Sequence, residues 1–202
     1  MEMPLETLNS GGGAAFIRFS AELDQWSRSS QSGDLVDITW DSPVVIDIEK
    51  IQLGWLKLAG GRDWIIWPDN DVKLASTLKP SDEYKQGFNV KFYSTKLFDD
   101  EPVRELSANG VGIFSFVKAV YDACEKDFGK GQVPAIKITK STPTRIGKGS
   151  TKIPNFEIVK WVNRPAELDG QETLSQPIQP KDEPTPATSQ PETENVFGSD
   201  EI

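Results

Sequence analysis

From Leu35 to Trp67 the chain is dense in β-branched and aromatic residues: LVDITW, then VVIDIEKIQLGWLKLAG, then DWIIWP after Gly60-Gly61. Branching at Cβ suits a pleated surface and loses side-chain freedom in a helix. Paired glycines supply the positive φ of a tight hairpin turn. The stretch therefore predicts antiparallel strands in a sheet, not a helical bundle. The run from Val44 to Leu58 lacks clean alternation, which predicts one bulged or strongly bent strand of the kind that turns the corner of a small barrel.

The remaining elements follow the same logic. Phe16-Ile17-Arg18-Phe19 is a short strand, and Trp26 falls in a polar stretch, AELDQWSRSSQSGD, that reads as loop. A short helical turn is expected after Pro80-Ser81. Gly87 to Ser94 alternates, with Phe88, Val90 and Phe92 on one face and Asn89, Lys91 and Tyr93 on the other. Lys96 to Pro102 reads as a turn and Val103 to Ser107 as a returning strand. Val111 to Phe128 is the one convincing helix, capped by Asn109 or Ser107 and ended by Gly129 to Gly131. Within it Cys124 reads as a small buried hydrophobe. Two further strand-like runs close the body, Val133 to Thr139 and Pro154 to Val162, around a Ser-, Thr-, Gly- and Pro-rich loop. Five main strands with a helix between the third and fourth describe a mainly β chain with one long helix: an OB-fold-like five-stranded barrel with extra strands. Another small barrel or sandwich with one helix is the competing architecture.

Charge divides the chain further. Between Lys130 and Arg164 eight basic residues face one acid, Glu157, so that segment carries 8 − 1 = +7. The whole chain is nonetheless at −9. Residues 1–164 hold 21 basic and 22 acidic side chains, whereas residues 165–202 hold one basic and nine acidic, so the acidity belongs to the end of the chain. Beyond Pro165 the sequence has five more prolines and few large apolar residues before Phe197. Such a composition cannot bury enough surface to offset its ordering cost, and a disordered acidic tail is expected. The expected organisation is a flexible leader over 1–15, a folded domain over 16–165 and the tail over 166–202.

A single cysteine excludes an intramolecular disulfide framework, and the absence of histidine removes the usual zinc ligand and the usual general base near neutral pH. Gly147-Lys148-Gly149-Ser150-Thr151 lacks the upstream glycine of a phosphate loop. Asp37, Asp41, Asp47, Glu49 and Asp63 could ligate metal, although acids at strand ends are mostly solvated. No signal-like leader or membrane-length apolar run occurs. A non-enzymatic, cytoplasmic protein without cofactor or metal is expected.

Single-stranded nucleic acid is held by cations that neutralise phosphates and by flat rings on which bases stack. The candidate cations are Lys91, Lys137, Lys140, Arg145, Lys148, Lys152 and Lys160. The candidate stacking groups are Trp26, Trp55 and Tyr93, drawn from a wider set that includes Trp40, Trp64, Trp67 and Trp161. At the chain's end Phe197, Asp200, Glu201 and Ile202 form an acidic tip with apolar anchors, suited to a partner's basic, hydrophobic pocket. The runner-up reading is a protein-interaction adaptor that uses the β-domain and the tail without binding DNA.

The blocks Phe16-Ile17-Arg18-Phe19, Ile51 to Leu58 with its central Gly54-Trp55, Lys85 to Tyr93, and Phe156 to Pro165, followed by the acidic tip Asn195 to Ile202, resemble bacteriophage-type single-stranded DNA-binding proteins. The resemblance covers about residues 14–165 loosely and the tail by character. It implies sequence-independent coating of single strands in phage replication, recombination or repair, in the host cytoplasm, with the tail recruiting replication or recombination proteins. A homo-oligomer is compatible with it. Departing from the pattern, the tip ends in Ile202 where the family usually has Phe.

Overall fold

The computed structural model describes residues 14–59, 62–98, 101–147 and 149–170, which form a mainly β fold with one long helix. The chain divides into two units, Met1–Glu172 and Thr173–Ile202, and every described residue belongs to the first. The expected leader before residue 14 and the expected disordered tail beyond 170 lie outside the described residues.

Ten strands share one sheet: β1 (Phe16–Ser20), β2 (Gln25–Ser29), β3 (Leu35–Asp37), β4 (Val44–Ile46), β5 (Gln52–Lys57), β6 (Asp63–Ile66), β7 (Lys85–Tyr93), β8 (Val103–Ala108), β9 (Gln132–Ile146) and β10 (Gly149–Asn163). The path runs β10-β9-β4-β7-β8-β1-β2-β3, and β5 pairs with both β6 and β7. The sheet is curled and open. Most neighbours are antiparallel; β1 and β8 run parallel, with Phe16 beside Glu105 and Ile17 beside Leu106.

The Val44 to Leu58 run resolves into β4, a single 3-10 turn at Ile48–Lys50, and β5. Val45 and Ile46 pair with Tyr93 and Phe92, while Gln52 to Leu56 pair with Asn89 to Lys85. Both pieces therefore lie along the same edge of β7, opposite β8. The missing alternation marks the turn at which one edge partner bends and restarts.

Other expectations need correction. Trp26 is not in a loop: it sits in β2, opposite Phe19 of β1. The helical turn of the 68–79 segment precedes Pro80 instead of following it, as α1 (Ala75–Leu78) after 3-10 turns at Pro68–Asn70 and Val72–Leu74. The Asp71 carboxylate accepts from the Lys73 amide to start the Val72–Leu74 turn that precedes α1, and a following proline disfavours continuation of the helix. The polar segment around residues 140–153, expected as a loop, is largely paired strand on both sides of a turn at Gly147, whose φ is +59°. β-Branched threonines suit that ladder, with Thr144 opposite Thr151. Between Ile153 and Asn155 two β9 residues, Lys140 and Ser141, stand opposite Pro154 alone, so the bulge lies in β9 and Pro154, with no N–H to donate, sits where the ladder is broken.

The helix α2 (Val111–Cys124) begins at Gly110 with no side-chain cap, so neither Asn109 nor Ser107 caps it, and a 3-10 turn at Glu125–Asp127 completes the predicted span. It lays Ile113, Phe116, Val117, Val120 and Cys124 against the inner face of the sheet, where Val44, Ile46, Phe88, Phe92, Ile136 and Ile138 point. Trp26 ties these layers together. Its ring lies 5.1 Å from Phe19, 5.4 Å from Trp40, 5.9 Å from Phe116 of α2 and 6.4 Å from Phe92 of β7, centroid to centroid. No described helix is long and apolar enough to cross a membrane.

The start of α2 approaches β10 so closely that a Cβ at Gly112 would sit 2.8 Å from the Lys152 carbonyl oxygen and 2.7 Å from Thr151 Oγ1. Gly112→Val should therefore cost about 1–3 kcal/mol through overpacking, read as a lowered denaturant midpoint; an unchanged midpoint would show that the helix end is free to move off the hairpin. Burial pushes the Cys124 thiol up to about 11, with Asp127 adding to the rise. Only about one thiol in a thousand is then ionised at pH 8, so a thiol reagent should label the native chain no faster than it unfolds. Rapid native labelling would place Cys124 at an opening in the core.

Candidate nucleic-acid interface

Which face of the sheet is available follows from strand phase. On β7, Phe88, Val90 and Phe92 are buried inward, leaving Asn89, Lys91 and Tyr93 on the outer face as the alternation predicts. On β4, Val44 and Ile46 point in and Val45 out; on β9, Ile136 and Ile138 point in while Ala135 and Lys137 take the opposite face. β10 begins in the same phase, with Phe156 and Ile158 packed on the core. A bulge then intervenes: Ile158 pairs with Ile136, but Ala135 pairs with Lys160, so Val159 is the extra residue. An extra residue re-aims everything after it. Lys160 and Val162 turn outward, and Trp161 turns in to pack on the core.

The consequence is an in-register row across four neighbouring strands, Tyr93–Val45–Ala135–Lys160, all on the outer face. With strands about 4.8 Å apart, the row spans roughly 14 Å. A groove of about 370 Å³ lies over it. Val45 and Ala135 are its floor; Tyr93, Ser94, Thr95 and Lys96 form one wall; Lys160, Val162, Asn163 and Pro165 form the other, with Ser42 and Pro43 at the end. An exposed ammonium thus stands on each wall, above an apolar floor and beside a phenol ring. This arrangement can hold a planar group against the floor and ring while cations meet anionic oxygens at the rim.

Of the residues selected from sequence, Tyr93 and Lys160 line this groove. Lys137 lies on the same face two residues along β9, directly opposite Glu157. Lys140 is exposed where the hairpin leaves the sheet. Further out, Arg145 and Lys152 share a face of the hairpin, since Arg145 pairs with Ser150 and Pro143 with Lys152. Lys152 Nζ reaches Asp24 Oδ2 of the β1–β2 turn at 3.9 Å. Lys148 lies outside the described residues, as do Phe197, Asp200, Glu201 and Ile202.

Two selections need correction. Trp26 is 4% exposed and Trp55 9% exposed, so both are core side chains whose faces are already covered. Trp55 belongs to a second apolar cluster with Trp67 and Ala75, and its Nε1 donates to the Ala75 carbonyl at 2.6 Å. A ring enclosed in this way offers no platform for a base. Lys96 was missed; it lies just past β7 in a segment that sequence assigns to a turn, and only the fold places it opposite Lys160.

The acids considered as metal ligands are dispersed among other partners. Asp37 accepts from Ser27, Glu49 from the Gly129 amide, Asp63 from Tyr84, and Asp47 from Arg164. Among the described residues no group of three or more potential metal ligands converges.

One end of the outer face is covered. After β10 both terminal nitrogens of Arg164 donate to the buried Asp47 carboxylate, and its Nε donates to Asp169 at 3.0 Å. Asp169 also meets Lys50 at 2.8 Å. Those two cations, Lys50 first, hold the Asp169 carboxyl below its ordinary value, while the Asp47 contact raises Arg164. The short helix α3 (Glu167–Gly170) follows, and Leu168 is buried. Lys91 Nζ donates to the Leu168 carbonyl at 3.2 Å and the Tyr93 hydroxyl to Glu167 Oε1 at 3.4 Å. Burial and the Glu167 carboxylate together raise the Tyr93 phenol above its ordinary value.

No protein-family model matches the chain, and no curated protein or solved structure matches it significantly.

Arg164→Ala would leave Asp47 as a buried carboxylate without its principal partner. A loss of roughly 3 kcal/mol in unfolding free energy is expected, the lower end for a broken buried pair because Arg164 is partly solvated. Chemical denaturation measures it, and a loss below about 1 kcal/mol would show that water already screens the pair.

Proposed function

We propose that this chain is a non-enzymatic, sequence-independent single-stranded DNA-binding protein acting in replication, recombination or repair, with phage replication the setting its resemblance suggests. The observation that carries the reading is the outer-face row Tyr93–Val45–Ala135–Lys160 under a groove flanked by Lys96 and Lys160. Lys137, Lys140, Arg145 and Lys152 extend the positive surface along the β9–β10 hairpin, so phosphates could be followed beyond the groove.

The order of elements supports the same reading. Treating β4 and β5 as one bent strand and setting aside β6, which pairs only with β5, the run β4/β5, β7, β8, α2, β9, β10 places a helix between the third and fourth of five strands, the order of an OB-fold. Here β1 lies along β8 and lengthens the sheet. In this proposal the acidic end of the chain, with Phe197, Asp200, Glu201 and Ile202, recruits partner proteins in the cytoplasm of the host cell.

A second reading, a protein-interaction adaptor, draws on a different surface. An apolar groove of about 240 Å³ beside α2 is lined by Ile51, Leu53, Phe88, Phe114, Val117 and Tyr121, among others. Phe114 and Val111 next to it are exposed. Such a groove suits an apolar side chain of a protein partner.

The two are separated by titrating the full chain against end-labelled oligothymidine, a mixed-sequence single strand and a duplex, followed by anisotropy at two salt concentrations. A label on the DNA is preferable to intrinsic tryptophan emission, because three of the six indoles are core side chains. The expected result is binding to both single strands with similar affinity, weakened by salt. The double variant Lys96→Glu/Lys160→Glu should bind at least about tenfold more weakly, since two phosphate contacts become repulsions. Binding that ignores this double reversal moves the site elsewhere; no binding at low salt favours the adaptor.

A further inference from the structure

The segment after β10 lies on the strand face proposed above. Arg164 is fixed on both sides, its amide donating to the Gly131 carbonyl and its side chain gripping Asp47. Pro165 lines the end of the groove. From there the chain crosses the outer face, and Leu168, 1% exposed, seats its side chain. The Leu168 carbonyl receives Lys91, the Glu167 carboxylate receives the Tyr93 hydroxyl, and Asp169 bridges Lys50 and Arg164. Oxygen atoms of the protein's own backbone and acids thus engage the Lys91 ammonium and the Tyr93 hydroxyl, while the Tyr93 side chain still lines the groove.

We propose that residues 165–170 form a hinged strap that closes one end of the strand face and lifts when a single strand crosses Lys91. The proposal rests on the single-strand reading. Its hinge is the ψ bond of the anchored Arg164, because the Pro165 ring fixes φ and the Pro165 carbonyl is held by the Leu168 amide within the strap. Its seat is one buried side chain, and its latch is the Asp169 pair with Lys50, whose two partners are 54% and 60% exposed. A pair so open to water holds weakly and is screened by salt, so the strap is retained by Leu168 and by the Asp169 contact with the less exposed Arg164. With the strap closed, a strand meets Tyr93, Lys96, Lys160 and the hairpin. With it open, Lys91 joins the path and the contacted length grows.

The test uses the full chain. Leu168→Ser leaves every charge in place and weakens only the seat, so affinity for labelled oligothymidine should rise about fivefold or more. Lys91→Ala should then matter only where the strap is loosened: about a fivefold loss in the Leu168→Ser background and under about twofold in the parent, a coupling that a purely structural role would not produce. Affinity unchanged or reduced in Leu168→Ser, with its melting midpoint retained, overturns the strap. A second measurement does not depend on substitution. The Leu168 methyl resonances of the parent chain should move to positions typical of exposed leucine when oligothymidine is saturating. Resonances that stay in place at saturation overturn the strap while leaving strand binding intact. A parent chain that binds no oligothymidine overturns the single-strand reading and the strap with it.

Discussion

A β-strand shows each of its faces every second residue, and this molecule depends on neighbouring strands agreeing about which face is which. β7, β4 and β9 agree without help: Phe92, Ile46, Val44 and Ile136 all point at α2. β10 does not, because Ile158 and Trp161 both belong to the core and stand three residues apart. An odd spacing cannot be met by a regular strand. The bulge at Val159 reconciles them, and the same displacement turns Lys160 onto the face of Tyr93. Core packing and the candidate binding surface are therefore two results of one extra residue.

The core it serves is closed by aromatic contact more than by backbone pairing. β8 is joined to β1 in parallel over a short register, and no described strand continues the sheet from β10. Trp26 fills the interior with its ring against α2, β7 and β1. Buried charge plays a different part. Arg104 lies in the interior with its Nη1 on the Ser29 carbonyl at 2.6 Å, and the buried Glu105 receives Arg62 at 2.6 Å. Arg164 reaches Asp47 across 117 positions of sequence. Such pairs add little net stability against an apolar alternative, but each is costly to break. They tie distant segments to one arrangement and penalise others.

Much of this fold is legible in the residues themselves. The alternation of Phe88, Val90 and Phe92 marks β7, the β-branched density of residues 35–67 marks a sheet, and the apolar spacing after Gly110 marks α2, because each pattern has the period of the element it builds. Trp26 was not legible, since its neighbours in sequence are polar and the rings that bury it come from three other elements. The polar segment before Gly147 was not legible either. Ser, Thr and Pro read as loop when counted singly, yet facing threonines on a second strand make the same composition a ribbon.

Residue order alone dictates a sheet with one long helix, a net negative charge concentrated after residue 164 and a basic segment over residues 130–164. Periodicity and charge are properties of a string and survive without coordinates. Which aromatics are core, which cations share a face, and the placement of Lys96 across a groove from Lys160 come from the packed fold. Those are statements about register between strands far apart in sequence. Register is chosen by the packing of all the strands together, so no single stretch of residues contains it.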